Sequence, residues 1–450
     1  MQGGLVELEW ENLLKPYRLG CPKDSACQNP DRSEFQRDYD RIIFSTAFRR
    51  LNGKTQVFPF PETDIIHTRL THSLEAASVG RSLGAMIGNY INKINKGINS
   101  ADIAAIVGTA SLAHDIGNPP LGHSGEKAFQ EFFSNERGQI ILRDLNDEQK
   151  ADFINFDGNA MGFHLLTYSN PKKTNITGGM SLTYPTLAAF TKYPKPAYYD
   201  DNKDKASEMK MGLFQSDLSK YSEIASELRI LEKDQKLSWH RHPLAFLTEA
   251  ADDICYGIMD LEDGYKHNLI SYEATAQYFI SICEFPSGNT DIKSLKNIID
   301  EREQVGYLRA KAINSMVNQV INVFIENIDE IMKGIFDTPL CELTEAARIK
   351  KEISKTSIEE IYSYKPVLQV EAAGYQVLSG LLDTYLFALK EGDKNSSKKI
   401  IQLIPDEYIV PFGDKPYDSI LGILRYIAGM TDTFAVDTYR NLKGIQLPNY

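Results

Sequence analysis

Cysteine is scarce and scattered in this 450-residue chain: Cys21, Cys27, Cys255, Cys283 and Cys341 are odd in number and contain no Cys-x-x-Cys pair. That pattern argues against a disulfide framework and for reduced thiols in a cytoplasmic protein. Cys21 and Cys27 could be read as a bridge or half of a zinc site, against the scatter of the rest. No uninterrupted apolar run approaches the roughly eighteen residues of a membrane span, so no membrane partner is expected. The start, "MQGGLVELEWENLLKPYR", lacks the basic end and apolar run of a signal peptide. Positive charge is in deficit, with 49 Lys and Arg against 61 Asp and Glu, a formal charge of −12. Proteins that coat duplex nucleic acid need the opposite balance. A polyanionic substrate would have to meet local positive charge, from a metal or from a few Arg and Lys.

What the chain does have is helical periodicity and enough length to bury a large core. "LTHSLEAASVGRSLGAMIGNYINKI" repeats apolar or small residues every three or four positions, from Leu74 to Ile94. "ADIAAIVGTASLAHD" is apolar or small almost throughout, the pattern of a helix buried on most sides, and it must end before Gly117, Pro119 and Pro120. "HPLAFLTEAADDICYGIMDLEDG" has Pro243 suited to a first helical turn and is expected to stop at Gly264. "KNIIDEREQVGYLRAKAINSMVNQVINVFIENIDEIMKGIF" reads as one or two further helices. Between about 130 and 235 Gly, Asn, Pro and Tyr are frequent, and much of that stretch is expected to be loop, with helix around 181 to 192. "TQVFPF" at 55 to 60 suggests a short extended segment, and "EGDKNSSKK" near 391 to 399 a solvated turn. The fold expected is all-α: a segment 1–34, a helical core 35–270 interrupted by the 130–235 insertion, and a helical C-terminal region 271–450.

Certain polar groups sit on these otherwise apolar helices. His72 opens the first, His114 and Asp115 close the second, and Asp252 lies within the third. A histidine at a helix end is ordinarily a satisfied polar group, and adjacent aspartates are often a solvated face. Three such helices together change the reading, because buried carboxylates need partners or a metal. Two imidazoles and two carboxylates suit a divalent ion such as Mn, Mg, Fe, Co or Ni, and they lack the thiolates of structural zinc.

The order His72, His114-Asp115, Asp252 resembles the signature of the HD superfamily of metal-dependent phosphohydrolases. The surrounding segments "FRRLNGKTQVF", "TRLTHSLE", "AHDIGNPPLGHSGE", "FDGNA", "LTYPTLAAFTKYP", "EAADDICYGIMDLED" and "YIAGMTDTFAVDTY" narrow the resemblance. Together they look like the deoxyguanosine triphosphate triphosphohydrolase family, over about residues 35 to 440. The resemblance implies an HD-domain core, a divalent metal, and conversion of dNTP and water to deoxynucleoside and tripolyphosphate. It also implies dNTP effectors, single-stranded DNA as a partner, and a homo-oligomer between dimer and hexamer.

The residues fill these roles in turn. Asp252 rather than Asp253 is chosen as ligand because Asp252, Tyr256 and Asp260 share one helix face at i, i+4 and i+8. The resemblance sets Tyr256 on the sugar, excluding a ribose hydroxyl, and Asp260 on its 3′-hydroxyl. His123 and Glu126, three apart, can share a surface, and a carboxylate beside an imidazole favours its proton-donating form. By resemblance His123 is the acid–base residue at the scissile bond and Glu126 orients it or the water. Arg69, three residues before His72, can reach an α-phosphate oxygen. Lys192 and Tyr193 of "TKYP" resemble the triphosphate grip, Lys210 is a weaker match, and Gln56 resembles the family glutamine beside sugar and base. His164 stands where many relatives carry Arg, which puts a phosphate contact there in doubt. Two other readings use the same residues: an HD nucleotidase or phosphodiesterase, and a non-catalytic nucleotide or single-strand sensor. The "TKYP" grip and the Tyr256–Asp260 ladder disfavour the former, and the intact ligand set disfavours the latter.

Overall fold

Three long helices carry the expected ligands, and the residues at their ends explain where they begin and stop. In the computed structural model, which describes residues 8–23, 32–57, 67–198, 205–233, 237–285, 291–413 and 415–446, the first runs Arg69–Ile94. Its start is fixed by a reciprocal cap: the Thr68 hydroxyl accepts the Thr71 N–H and the Thr71 hydroxyl accepts the Thr68 N–H. The second runs Ser100–Ala113 behind an Asn99 cap, with His114 in the C-cap position. The third, Pro243–Lys266, starts with proline at its first turn and the His242 ring accepting the Leu244 N–H. The first two helices approach closely because a Cβ added at Gly84 would lie 2.8 Å from the Ala104 Cα. Cys27 and residues 58–60 of the short extended segment lie outside the described residues; Thr55 makes a single antiparallel bridge with Thr68.

Three local expectations change. The third helix does not stop at Gly264 but continues to Lys266. A Cβ at Gly264 would lie 2.8 Å from Ile270 and Ile361 side-chain carbons, so the glycine serves close packing, while Asn268 takes the left-handed position (φ 57°) after the helix. The 130–235 stretch is more helical than its composition suggests, with Glu136–Leu142, Asp147–Ile154, Gly158–Thr167, Tyr184–Phe190 and Leu218–Leu228. Several of its Asn and Asp residues are caps rather than loop formers: Asn135, Asn146 and Asp157 each accept backbone N–H groups at a helix start. Residues 395–399 belong to the short helix Asn395–Ile401 rather than to a turn.

The helices gather around two apolar cores. One joins the three ligand-bearing helices to Glu301–Glu326 and to residues as far as Ile361. The other packs Phe129 and the insertion's Phe133, Phe153, Phe156 and Phe214 against Lys365–Lys390 and Pro416–Ala428. Helices Pro416–Ala428 and Asp432–Leu442 carry most of "YIAGMTDTFAVDTY", with a break between them. Among the described residues there is no strand, and no helix is long and apolar enough to cross a membrane.

Candidate active site

The C-terminal end of the second helix and the N-terminal turn of the first meet the middle of the third at the floor of a cavity of about 390 Å³. There His72 Nε2 lies 3.1 Å and His114 Nε2 3.3 Å from Asp252 Oδ1, with His114 Nε2 also 3.5 Å from Asp115 Oδ1. Ligand atoms of His72, His114 and Asp115 fall within 4.8 Å of one another. His114 Nδ1 donates to the Ser111 carbonyl at 2.7 Å, which turns Nε2 to the centre, and Asp252 and Asp115 beside it raise the pKa of the ring against the effect of burial. Asp253, by contrast, pairs with Lys350 at 2.5 Å.

Cations surround the floor. Arg69 Nη1 donates to Asp115 at 2.8 Å and Lys192 Nζ to Asp252 at 2.7 Å. Burial alone would raise the Asp115 carboxyl, yet Arg69 and His114 pull it down to about 2. Asp252 is held well below its ordinary range, as Lys192 and His114 outweigh burial. The backbone of the "TKYP" segment is held by Arg241, whose Nε donates to the Lys192 carbonyl at 2.6 Å while its guanidinium pairs with Glu249.

Above the floor, His123 is two-thirds exposed and its Nδ1 lies 3.0 Å from Glu126 Oε2. The other Glu126 oxygen accepts the Gly158 N–H at 2.8 Å. Burial works against the charge on Glu126, but His123 and Lys210 hold its carboxyl below the usual range. Lys210 lines the same cavity and sits 3.3 Å from Asp157. Gly117 sets the spacing of these parts, because a Cβ there would overlap the Gly158 carbonyl and the Gly162 amide.

All the sequence-assigned residues line this cavity except Asp260. Asp260 is buried behind Tyr362, whose hydroxyl donates to its carboxylate and stands 2.6 Å from the Tyr256 hydroxyl. His164 lies outside the cavity, buried against Asp217 with Nδ1 to Oδ2 at 2.8 Å. The sequence reading missed Asn118, Asn159, Tyr362 and Glu371, which also line it. His67 was missed as well. It bridges Asp263 and Glu75, and its carbonyl accepts the Gln56 N–H at 3.3 Å, which fixes the wall bearing Gln56.

Among the described residues, four buried atoms around the cavity make no hydrogen bond: Gln56 Oε1, Arg69 Nε, His114 Nε2 (in ion-pair range of Asp252) and Asp115 Oδ2. Buried polar atoms are rarely left so, and their grouping marks a place for an ion or ligand.

Comparison with known proteins agrees. Residues 69–164 match the HD domain model. The chain is 38% identical over 454 residues to a deoxyguanosinetriphosphate triphosphohydrolase-like protein of Synechocystis sp., covering 98% of this chain and all of the relative. It is 36% identical over 451 residues to a protein of the same description from Pseudomonas aeruginosa, again over 98% of this chain and all of the relative. With a deoxyguanosinetriphosphate triphosphohydrolase of Salmonella paratyphi A the identity is 29% over 518 residues, 98% of this chain and the whole of that protein. With relatives above 30% identity along the whole chain and an HD match across His72, His114 and Asp115, this chain belongs to the deoxyguanosinetriphosphate triphosphohydrolase-like family of HD-domain proteins.

Proposed function

We propose that the chain hydrolyses deoxynucleoside triphosphates, dGTP among them, to the deoxynucleoside and inorganic tripolyphosphate. The observation that carries this reading is a set of four buried atoms around one cavity that make no hydrogen bond among the described residues, Gln56 Oε1, Arg69 Nε, His114 Nε2 and Asp115 Oδ2. The relatives' names supply the substrate class.

The donor set of two imidazoles and two carboxylates, with His114 Nε2 turned to the centre and Asp115 Oδ2 without a hydrogen bond, fits a divalent ion such as Mn, Mg, Fe, Co or Ni. His72, His114, Asp115 and Asp252 would hold it. Such an ion polarises a phosphoryl oxygen and lowers the pKa of water. The side chains do the rest. Arg69, anchored on Asp115, offers its unpaired Nε to an α-phosphate oxygen. Lys192 and Tyr193 grip the rest of the triphosphate, with Lys210 beside them. Water attacks the α-phosphorus, forming the new P–O bond of tripolyphosphate as the bond to O5′ breaks. His123 delivers the proton that the leaving O5′ needs, Glu126 orients His123 or the water, and the proton of the attacking water leaves to solvent. Tyr256 packs on the sugar and excludes a 2′-hydroxyl, and Gln56 lies beside sugar and base. The 3′-hydroxyl falls to the Tyr256–Tyr362–Asp260 group, in which Asp260 meets the cavity through Tyr362. The same reading extends to dNTP effectors, to single-stranded DNA and to a homo-oligomer between dimer and hexamer, which light scattering with and without each ligand would test.

The deciding experiment supplies the purified chain with Mn²⁺ or Mg²⁺ and each of the four dNTPs and identifies the phosphorus product by NMR. Tripolyphosphate is expected. Pyrophosphate or orthophosphate appearing in step with nucleotide loss would refute the reaction.

A further inference from the structure

The segment "YIAGMTDTFAVDTY" contributes nothing to the chemistry above, yet one of its carboxylates touches both walls of the cavity. We infer that Asp432 is a positioning residue that sets the gap between the Gln56 wall and the His123 turn, a role that rests on the proposed hydrolysis. Asp432 is 2% exposed. Its Oδ1 accepts the Leu121 N–H at 2.9 Å, and its Oδ2 accepts both the Thr55 N–H at 2.9 Å and the Thr55 hydroxyl at 2.8 Å. Thr55 immediately precedes Gln56, and Leu121 stands two residues before His123.

The Leu121 end of this clasp is under strain. Leu121 has φ 62°, a left-handed conformation that a branched side chain adopts only when its surroundings hold it there. Asp432 holds its amide, and its side chain fills the space where a Cβ at Gly374 would come within 2.7 Å of it. Release of the amide would let the turn relax and carry His123 with it. The Asp432 end is fixed from below. The Lys54 side-chain nitrogen, buried, donates to the Asn118 and Ala428 carbonyls at 2.6 Å each, and a Cβ at Gly53 would lie 2.6 Å from Thr431 Cγ2. So "RLNGKT" and "AGMTD" form one joint, and the carboxylate at its edge reaches both sides of the cavity. An amide at position 432 keeps the shape but cannot accept from three donors, because its nitrogen is itself a donor.

The test compares wild type, Asp432→Asn, His123→Ala and the double variant. Asp432→Asn should speed amide exchange in the peptides spanning Thr55 and Leu121 while leaving those spanning His72 and Asp252, and the bound Mn²⁺, as in wild type. Its kcat should fall by about tenfold or more, and that loss should vanish in the His123→Ala background, since both act through one group. Equal losses in both backgrounds, or unchanged exchange at both peptides, would overturn the inference. If Asp432→Asn does not fold, Thr55→Val, which removes one of the three donors, should show the same pattern at smaller size. A wild type that hydrolyses no dNTP would sink the proposed function alone, because the exchange arm still decides the clasp.

Discussion

Asp252 and Asp260 stand about two turns apart on one helix, and their surroundings hold them in opposite states. Around Asp252, Lys192 and the His114 ring overcome burial and keep the carboxyl well below its ordinary range. Around Asp260, burial dominates; a Tyr362 hydroxyl is its hydrogen-bond partner, and the carboxyl is pushed up to about 7. The helix supplies only the spacing, and the groups packed against each position supply the charge. The Asp252 end of this helix face is therefore anionic and ringed by cations, while the Asp260 end, screened from the cavity by Tyr362, carries less charge; in the proposed function the first takes an ion and phosphates and the second a sugar.

The contrast can be broken at either end. The largest effect is expected at the anionic floor: His114→Ala should lose its bound divalent ion and cost more than the roughly 100-fold typical of outer-shell partners in metal sites. Metal analysis beside kcat/KM checks this, and unchanged occupancy would refute the ligand assignment. His123→Ala should keep the ion and lower kcat by about 10²–10⁴, the usual share of a general acid. A loss confined to KM would remove it from the proton transfer. At the Asp260 end, Tyr256→Ala should reduce the preference for dNTP over NTP by about tenfold, the scale of one lost steric contact, and an unmoved ratio would refute the packing role.

The smallest effect concerns stability and sharpens the contrast most directly. Asp260 binds its proton more tightly in the folded chain than in the unfolded one. Its contribution is whole below the ordinary carboxylate range and is lost as pH rises through about 7. As pH rises from the ordinary carboxylate value of 3.8 to about 7, the melting temperature of wild type should fall by a few degrees relative to Asp260→Asn and then level off. Parallel curves would mean that the carboxyl is ionised throughout.

Much of this was legible because it is written locally. His72, His114-Asp115 and the Asp252–Tyr256–Asp260 face are features of single helices, and helix periodicity shows in any short window. The short helices of the insertion were not, because Asn and Asp read equally well as turn formers and as caps, and tertiary packing decides between them. Tyr362 and Asp432 had no local signal at all. Tyr362 meets a tyrosine 106 residues away, and Asp432 meets Thr55 across 377 residues. Asp260 is the instructive case: the register was right, but a side chain from a distant turn stands between it and the cavity.

No side chain fits between Gly117 and the Gly158 and Gly162 backbone, so the offset between the His72–His114–Asp115 floor and the Glu126 carboxylate is set by main-chain packing. Rotamers, salt and modest heating alter such a contact very little. A single methyl inserted there would act as a shim, and the reacting groups would lose their alignment while every one of them remained in place.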